Sequence, residues 1–144
     1  MAAPTTAWYH DCGGEGHPLV LLHGYTGDRN TIGFRQGTFG WLLQRSTAPR
    51  FRVIFVEARG CGAAGDSPGP FTIAQQAQDV LAIADQLGLE RFSFLGHSMG
   101  GGVGFELAST SPHRLVRLVL VAPIPSNVRT LQFFNLLRRS RLDR

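Results

Sequence analysis

The sequence predicts an α/β fold in which a mostly parallel sheet carries helices on both faces. Four short apolar runs lack the polar alternation of a half-exposed strand, which is typical of strands buried on both sides. Segments with helical periodicity lie between these runs, so strand and helix alternate along the chain. The 144 residues are enough for one domain with a hydrophobic core.

Five strands are expected. The first is a short segment at residues 7–10, which we expect to form an N-terminal hairpin with the second after a glycine-rich turn at residues 13–18. The other strands are the four apolar runs, which are rich in β-branched and aromatic residues. These runs cover residues 19–23, 52–57, 91–96 and 115–121.

Three helices are predicted between the strands. The clearest spans residues 72–87, where apolar side chains follow one 3.6-residue stripe. Thr72 and Gln75 have the spacing of a capping box, and Gly88 supplies a C-terminal stop. The other two helical patterns cover residues 39–44 and 99–110.

The character of the chain changes after Pro125. Residues 1–125 are interpreted as the N-terminal part of an α/β core, and residues 126–144 as the start of a lid or a basic tail. Within the second part, residues 127–139 have an amphipathic helical pattern. Residues 138–144 alone carry four arginines and one aspartate, so most of the net charge of +4 is concentrated there. This distribution argues against a nucleic-acid-binding surface.

The segment Gly96-His97-Ser98-Met99-Gly100 has the pattern G-x-S-x-G and lies between a predicted strand and a predicted helix. That context is the one a nucleophile elbow requires, because the turn is sharp enough to lift the serine hydroxyl clear of the sheet. Glycines at 96 and 100 are needed because side chains there would collide with neighbouring backbone. The helix N-terminus also favours developing negative charge at Ser98.

A second motif, His23-Gly24-Tyr25, follows the strand predicted at residues 19–23. A backbone N–H from such a loop can complete an oxyanion hole with the N–H of the residue after the nucleophile. We assign these two donors to Tyr25 and Met99, and Gly24 allows the close approach. We expect His23 to hold the loop through a structural hydrogen bond rather than to act in catalysis.

Together these motifs resemble the α/β-hydrolase superfamily, in the branch of small serine esterases, lactonases and cofactor-free haloperoxidase-like enzymes. The resemblance implies a serine hydrolase that acts on an ester-like or other acyl small molecule, with no metal or organic cofactor. Three positions depart from the family pattern, since Glu57 replaces an aspartate, Cys61 a histidine and Ala64 a serine. The matching segments are residues 23–24, 59–62 and 96–101.

The resemblance also implies an acid and then a histidine after the nucleophile. After the last predicted strand the chain has no histidine, and its only acid there is Asp143. His97 should point away from its neighbour Ser98, and His113 follows a helix about 18 Å long. The remaining candidates, His10 and His17, fall in the N-terminal hairpin. We therefore expect a truncated α/β-hydrolase fold that lacks the last strands and has little or no turnover.

Two other functions remain open at this point: a non-catalytic ligand-binding member of the fold, and a non-functional gene fragment. No apolar run reaches the roughly 18–20 residues of a membrane span, and no secretory signal pattern is present. Cys12 and Cys61 fit no metal-binding spacing and are expected to be free thiols. These features favour a cytoplasmic protein with a small-molecule substrate and without nucleic-acid or membrane partners.

Overall fold

A computed structural model describes residues 8–29, 41–42, 45–46 and 50–124. It confirms the predicted fold class, because the described residues form one five-stranded, mostly parallel sheet. Short 3₁₀ turns at Gly62–Ala64 and Pro112–Arg114 lie between the main elements. The main elements are β1 (Tyr9–Asp11), β2 (His17–Leu22), β3 (Phe51–Val56), α1 (Ile73–Gln86), β4 (Phe92–His97), α2 (Met99–Thr110) and β5 (Leu115–Val121).

The strands lie in the order β1-β3-β2-β4-β5. Strands β2 to β5 are parallel, and β1 runs antiparallel to β3 at the edge of the sheet. Strand β2 is central, so that Leu21 faces Phe55 of β3 on one side and Leu95 of β4 on the other. The carboxyl ends of the four parallel strands therefore meet at one edge of the sheet.

The expected N-terminal hairpin is wrong, because β3 lies between β1 and β2. After β1 the chain crosses the beginning of β3, where the N–H of Cys12 donates to the Val53 carbonyl at 2.9 Å. A side chain at Gly14 would overlap the Phe51 carbonyl, and one at Gly16 would overlap Arg50. The glycines that suggested a tight turn instead allow the chain to pass against β3.

Both faces of the sheet are buried along the central strands β2, β3 and β4, as successive side chains of a strand point to opposite faces. The expectation of burial on both sides is wrong for β5, the edge strand of the described sheet, where Val116 and Val119 are exposed. On one face Val20, Ile54 and Phe94 pack with α1 and α2 in a single apolar cluster. On the other face a second cluster is also buried, which fits the unbroken apolar pattern of the strands. That cluster contains Leu19, Leu21, Val53, Phe55 and Leu95.

Element boundaries agree closely with the sequence pattern around the candidate site. Helix α2 and strand β5 begin and end at the predicted residues, and α1 differs by one residue at each end. The Thr72 hydroxyl accepts a hydrogen bond from the Gln75 N–H at 3.1 Å, and Gly88 has φ +67° after the helix. The capping box is only half formed, because the Gln75 side chain donates to Asp79 instead.

Some predicted features lie outside the described residues. The segment 127–139 is one of them, together with the proposed division of the chain at residue 125. Of the helix predicted at residues 39–44, only residues 41 and 42 are described, and they are helical. In the part of the chain that is described, no helix has both the length and the apolar character needed to cross a bilayer.

A buried ion pair fastens α1 to the loop that follows β3. The Arg59 guanidinium donates to both carboxylate oxygens of Asp79, at 2.8 and 2.6 Å, and also to the Pro68 carbonyl at 2.7 Å. It lies over the Trp8 ring, 5.0 Å from the ring centre. Both charged side chains are almost fully buried, so the attraction between them offsets the cost of removing each charge from water.

Asp79→Ala should therefore lower the free energy of unfolding by about 3–5 kcal/mol, because it removes the carboxylate that balances the buried charge of Arg59. Asp85→Ala is the matched control. Asp85 lies on the same helix and pairs with Arg114 at the same 2.6 Å, but its side chain is 65% exposed. That variant should lose about 1 kcal/mol or less. Urea unfolding of both variants measures the difference, and equal losses would contradict the role assigned to the buried pair.

Candidate active site

Ser98 occupies a sharp turn between β4 and α2 at the carboxyl edge of the sheet. Its backbone has φ +53° and ψ −112°, a conformation that residues with a side chain rarely adopt. The Ser98 N–H donates to the Val121 carbonyl at 2.9 Å. The Ser98 carbonyl accepts from the N–H groups of Gly102 and Ile124, at 3.2 and 3.0 Å. The side chain is partly exposed and makes no capping hydrogen bond to the helix.

Two glycines allow this turn to form. A Cβ atom at Gly96 would overlap the carbonyl oxygen of Gly100, in the first turn of α2. A Cβ atom at Gly100 would overlap the carbonyl oxygen of Leu22, at the end of β2. These contacts are with backbone atoms that cannot rotate away, so the G-x-S-x-G spacing follows from the close packing of β2, β4 and α2.

The loop after β2 lies directly against Ser98. A Cβ atom at Gly24 would approach the Ser98 Cβ and the His97 Nδ1 to 3.1 Å each. The loop then turns at once, because the Gly27 N–H donates to the Gly24 carbonyl at 3.1 Å. The Tyr25 side chain in this turn is exposed. The structure thus brings the Gly24–Gly27 turn and Ser98 together.

Met99 is the first residue of α2. The first hydrogen bond of that helix runs from Gly102 to Ser98, so the Met99 N–H precedes it and has no helical carbonyl to bond. Its side chain points inward and is 2% exposed. The Met99 amide therefore lies where the positive end of the helix dipole meets the Ser98 turn.

His23 joins the loop after β2 to the loop after β3. Its Nδ1 donates to the Gly24 carbonyl at 2.6 Å, and its Nε2 accepts from the Ala58 N–H at 2.9 Å. The ring stacks on Phe55 and is fully buried. Burial lowers the pKa of His23, so the ring is neutral and the two partners fix its tautomer. With both nitrogens engaged, His23 has a structural role in this geometry.

None of the other four histidines, all of them described, hydrogen-bonds to the Ser98 hydroxyl. His17 begins β2 at the amino end of the sheet, where its Nε2 lies 3.1 Å from the Ser93 hydroxyl. His113 lies beyond the far end of α2, and His10 is in β1. The His97 ring lies against Gly24, and its Nδ1 has no hydrogen-bond partner among the described residues.

Sequence reasoning noted Glu57 as a departure from the family pattern and missed its environment. The carboxylate is 2% exposed, and its Oε1 accepts a long hydrogen bond, 3.3 Å, from the Arg29 N–H and lies 3.8 Å from the Arg29 Nε. Its Oε2 has no partner in the described part of the chain. Oε2 lies 3.9 Å from His23 Nε2, which is not an ion pair because His23 is neutral. Burial raises the pKa of Glu57, and Asp28 adds to the effect.

Cys61 lies near this carboxylate. Burial raises the pKa of its thiol, with further contributions from Glu57 and Asp28. A raised pKa keeps the sulfur protonated and poorly nucleophilic. Such an environment is typical of an unreactive thiol.

Comparison with known proteins identifies the fold family. The family model for the α/β-hydrolase fold matches residues 17–142. The chain belongs to the α/β-hydrolase family. Because the match includes β2, β4 and the turn at Ser98, the candidate site lies inside the part of the chain that the family model covers.

Three similar proteins illustrate the range of this hydrolase family. A Mycobacterium phage D29 protein named as a non-heme haloperoxidase is 35% identical over 75% of this chain and 36% of its own length. A protein of Caulobacter sp. (strain K31) named as carbamate hydrolase RutD is 38% identical over 68% of this chain and 39% of its own. The structure of a Thermogutta terrifontis esterase matches with a TM-score of 0.69 and 31% identity, over 81% of this chain and 40% of the esterase.

This α/β-hydrolase chain thus spans less than half the length of each of these three proteins. The part of the chain that the family model matches carries β2 to β5 and the Ser98 turn. Family membership therefore establishes the fold that surrounds Ser98.

Glu57→Gln should stabilise the fold at alkaline pH but not at acid pH. Because the pKa of Glu57 is raised in the folded chain, the native state loses stability as pH rises from 4.5, the ordinary value, through the raised value. Above that window Glu57 is ionised and buried, and the full desolvation cost of its carboxylate lowers the free energy of unfolding. We expect a gain of about 1 kcal/mol at pH 8 and none at pH 4, measured by urea unfolding.

Glu90→Gln is the control for this experiment, because Glu90 is exposed and lies at the opposite end of the sheet, before β4. It should give no gain at pH 8 comparable to that of Glu57→Gln, because an exposed side chain has no burial cost to remove. A stabilisation by Glu57→Gln that is equally large at pH 4, or absent at pH 8, would show that the carboxylate is not the costly group.

Proposed function

We propose that the protein is a serine hydrolase that cleaves an ester-like or other acyl small molecule, with Ser98 as the nucleophile. One observation carries the proposal: Ser98 has a left-handed backbone, φ +53°, at a strand-to-helix junction. A residue with a side chain is held in such a conformation only where its surroundings enforce it, and such residues cluster at active sites. The turn has the features of a nucleophile elbow.

The chemistry follows from the groups around this turn. The Ser98 Oγ would attack the carbonyl carbon of the substrate while a base takes the hydroxyl proton. The carbonyl oxygen becomes an oxyanion, which the N–H groups of Tyr25 and Met99 would stabilise. Collapse of this intermediate breaks the bond to the leaving alcohol or amine, which takes the proton from the base. Water then hydrolyses the acyl-serine and regenerates Ser98.

Two of the similar proteins support a carbonyl substrate. One is named as a carbamate hydrolase and the other is an esterase. Carbamates and esters share an acyl carbon bonded to a heteroatom leaving group, and the same serine chemistry cleaves both. The proposal extends to this class of bond and leaves the individual substrate open, because one fold hosts many specificities.

The base is the component that the described residues do not supply, because none of their side chains hydrogen-bonds to the Ser98 hydroxyl and the unpartnered His97 Nδ1 lies against Gly24. In this family the acid and the histidine follow the nucleophile in chain order. His23 has both ring nitrogens occupied, and His17 and His113 lie at the other end of the sheet. Loss of one triad member costs on the order of 10⁴-fold in rate. We therefore propose that these residues alone turn over very slowly.

A fluorophosphonate probe tests the proposal, with imidazole supplied as an external base. We expect slow phosphonylation of the 144-residue chain, faster labelling when imidazole is added, and modification of Ser98 in a peptide map. Ser98→Ala should abolish the imidazole-dependent label. Ser109→Ala is the matched control, because Ser109 is an exposed serine near the end of α2, and it should label like the parent chain.

Two outcomes would count against parts of this proposal. Imidazole-dependent labelling that is absent, or spread evenly over exposed serines, would mean that Ser98 is not an accessible nucleophile. Rapid Ser98-dependent labelling without imidazole would mean that the chain already contains a base for Ser98, which would contradict the proposed slow turnover.

A further inference from the structure

Gln76 is a buried polar residue that the proposed reaction does not use directly. It lies on the inward side of α1 beside Ala77, and it is 3% exposed. Its side-chain Nε2 lies 3.5 Å from the Sδ atom of Met99, and its Oε1 has no hydrogen-bond partner among the described residues. The amide therefore has one weak partner in an otherwise apolar cluster.

This arrangement is unfavourable for stability. A buried amide is costly when its hydrogen bonds are not made, and a thioether sulfur is only a weak acceptor. Leucine has a similar volume and would need no partner at this position. Buried polar groups that lack hydrogen-bond partners are expected mainly at functional sites, where the position of a group matters more than its contribution to stability.

The partner of Gln76 is the residue whose amide is assigned to the oxyanion hole. A methionine side chain has three rotatable bonds and fills space in several ways. The contact with Gln76 selects one of them, since the Nε2–H donates to the sulfur. The neighbouring Ile73 side chain also reaches the first turn of α2, where a Cβ at Gly102 would lie 3.4 Å from its Cδ1. Helix α1 thus supports the beginning of α2 from behind.

We propose that Gln76 is a positioning residue: its N–H···S contact fixes the Met99 side chain and thereby the direction of the Met99 backbone amide. The inference rests on the proposed function, in which that amide stabilises the oxyanion. The Arg59–Asp79 pair anchors α1 about one turn after Gln76 and so keeps Gln76 in place against Met99. Removal of the Gln76 amide leaves Met99 free to adopt other rotamers.

The composition of the chain allows a direct test. Its two methionines are Met1 and Met99, and Met1 has an amino terminus in place of an amide. Selective ¹⁵N-methionine labelling therefore gives one backbone amide signal, that of Met99, and ¹³C-methyl labelling reports its side chain. Gln76→Leu should move both Met99 signals, while the melting temperature stays the same or rises.

Gln78→Leu is the matched control, because Gln78 is exposed on the same helix. It should move neither Met99 signal. A residue that only packs would lower the melting temperature when replaced and leave the Met99 amide signal in place. An unmoved amide signal in Gln76→Leu, with or without a moved methyl signal, would overturn the proposal.

Met99→Leu keeps the test decisive if the Gln76 variant fails to fold, because Met-to-Leu replacement nearly conserves volume. With ¹⁵N-glutamine labelling, the Gln76 side-chain NH₂ signal should shift when the sulfur acceptor is removed. An unmoved signal would mean that the N–H···S contact is not formed. These spectra report geometry and not turnover, so they remain interpretable even if Ser98 fails to react with the phosphonate probe.

Discussion

The backbone of Ser98 adopts a conformation that costs on the order of 1–3 kcal/mol, and neighbouring segments hold it there. The Val121 carbonyl of β5 accepts a hydrogen bond from the Ser98 N–H, while the N–H groups of Gly102 and Ile124 donate to the Ser98 carbonyl. The turn can fit between these partners only because positions 96 and 100 carry no side chain. The rest of the candidate site takes its geometry from this constraint.

The surrounding structure supports the turn in successive layers. Parallel pairing of β2 with β4 brings the loop at Gly24 against Ser98, at the edge where the strands end. His23 then joins that loop to the one after β3, and the Arg59–Asp79 pair joins the β3 loop to α1. Two groups in this region, Glu57 and Gln76, each keep a buried oxygen without a partner among the described residues. Each unpartnered oxygen lowers the stability of the fold in the region around the proposed reaction centre.

Features determined by local chemistry could be predicted from the sequence. Unbroken apolar runs indicated buried parallel strands, and the serine motif with its flanking glycines located the turn at Ser98. The pairing of β1 could not be predicted, because a glycine-rich turn looks the same whether the chain folds back on its neighbour or crosses a third strand. The Arg59–Asp79 and Gln76–Met99 contacts join residues about twenty positions apart, and no local pattern specifies such partners. Glu57 was visible as an unusual residue, but its burial depends on the packed loops around it.

The strain at Ser98 is tested most directly by comparing Ser98→Gly with Ser98→Ala in urea unfolding. Glycine adopts a positive φ without steric cost, and alanine does not. With the turn described here, Ser98→Gly should be the more stable variant, by about 1 kcal/mol. In a regular helix the order reverses, because glycine is about 1 kcal/mol worse than alanine there. A more stable Ser98→Ala variant would contradict the strained turn and, with it, the proposed role of Ser98.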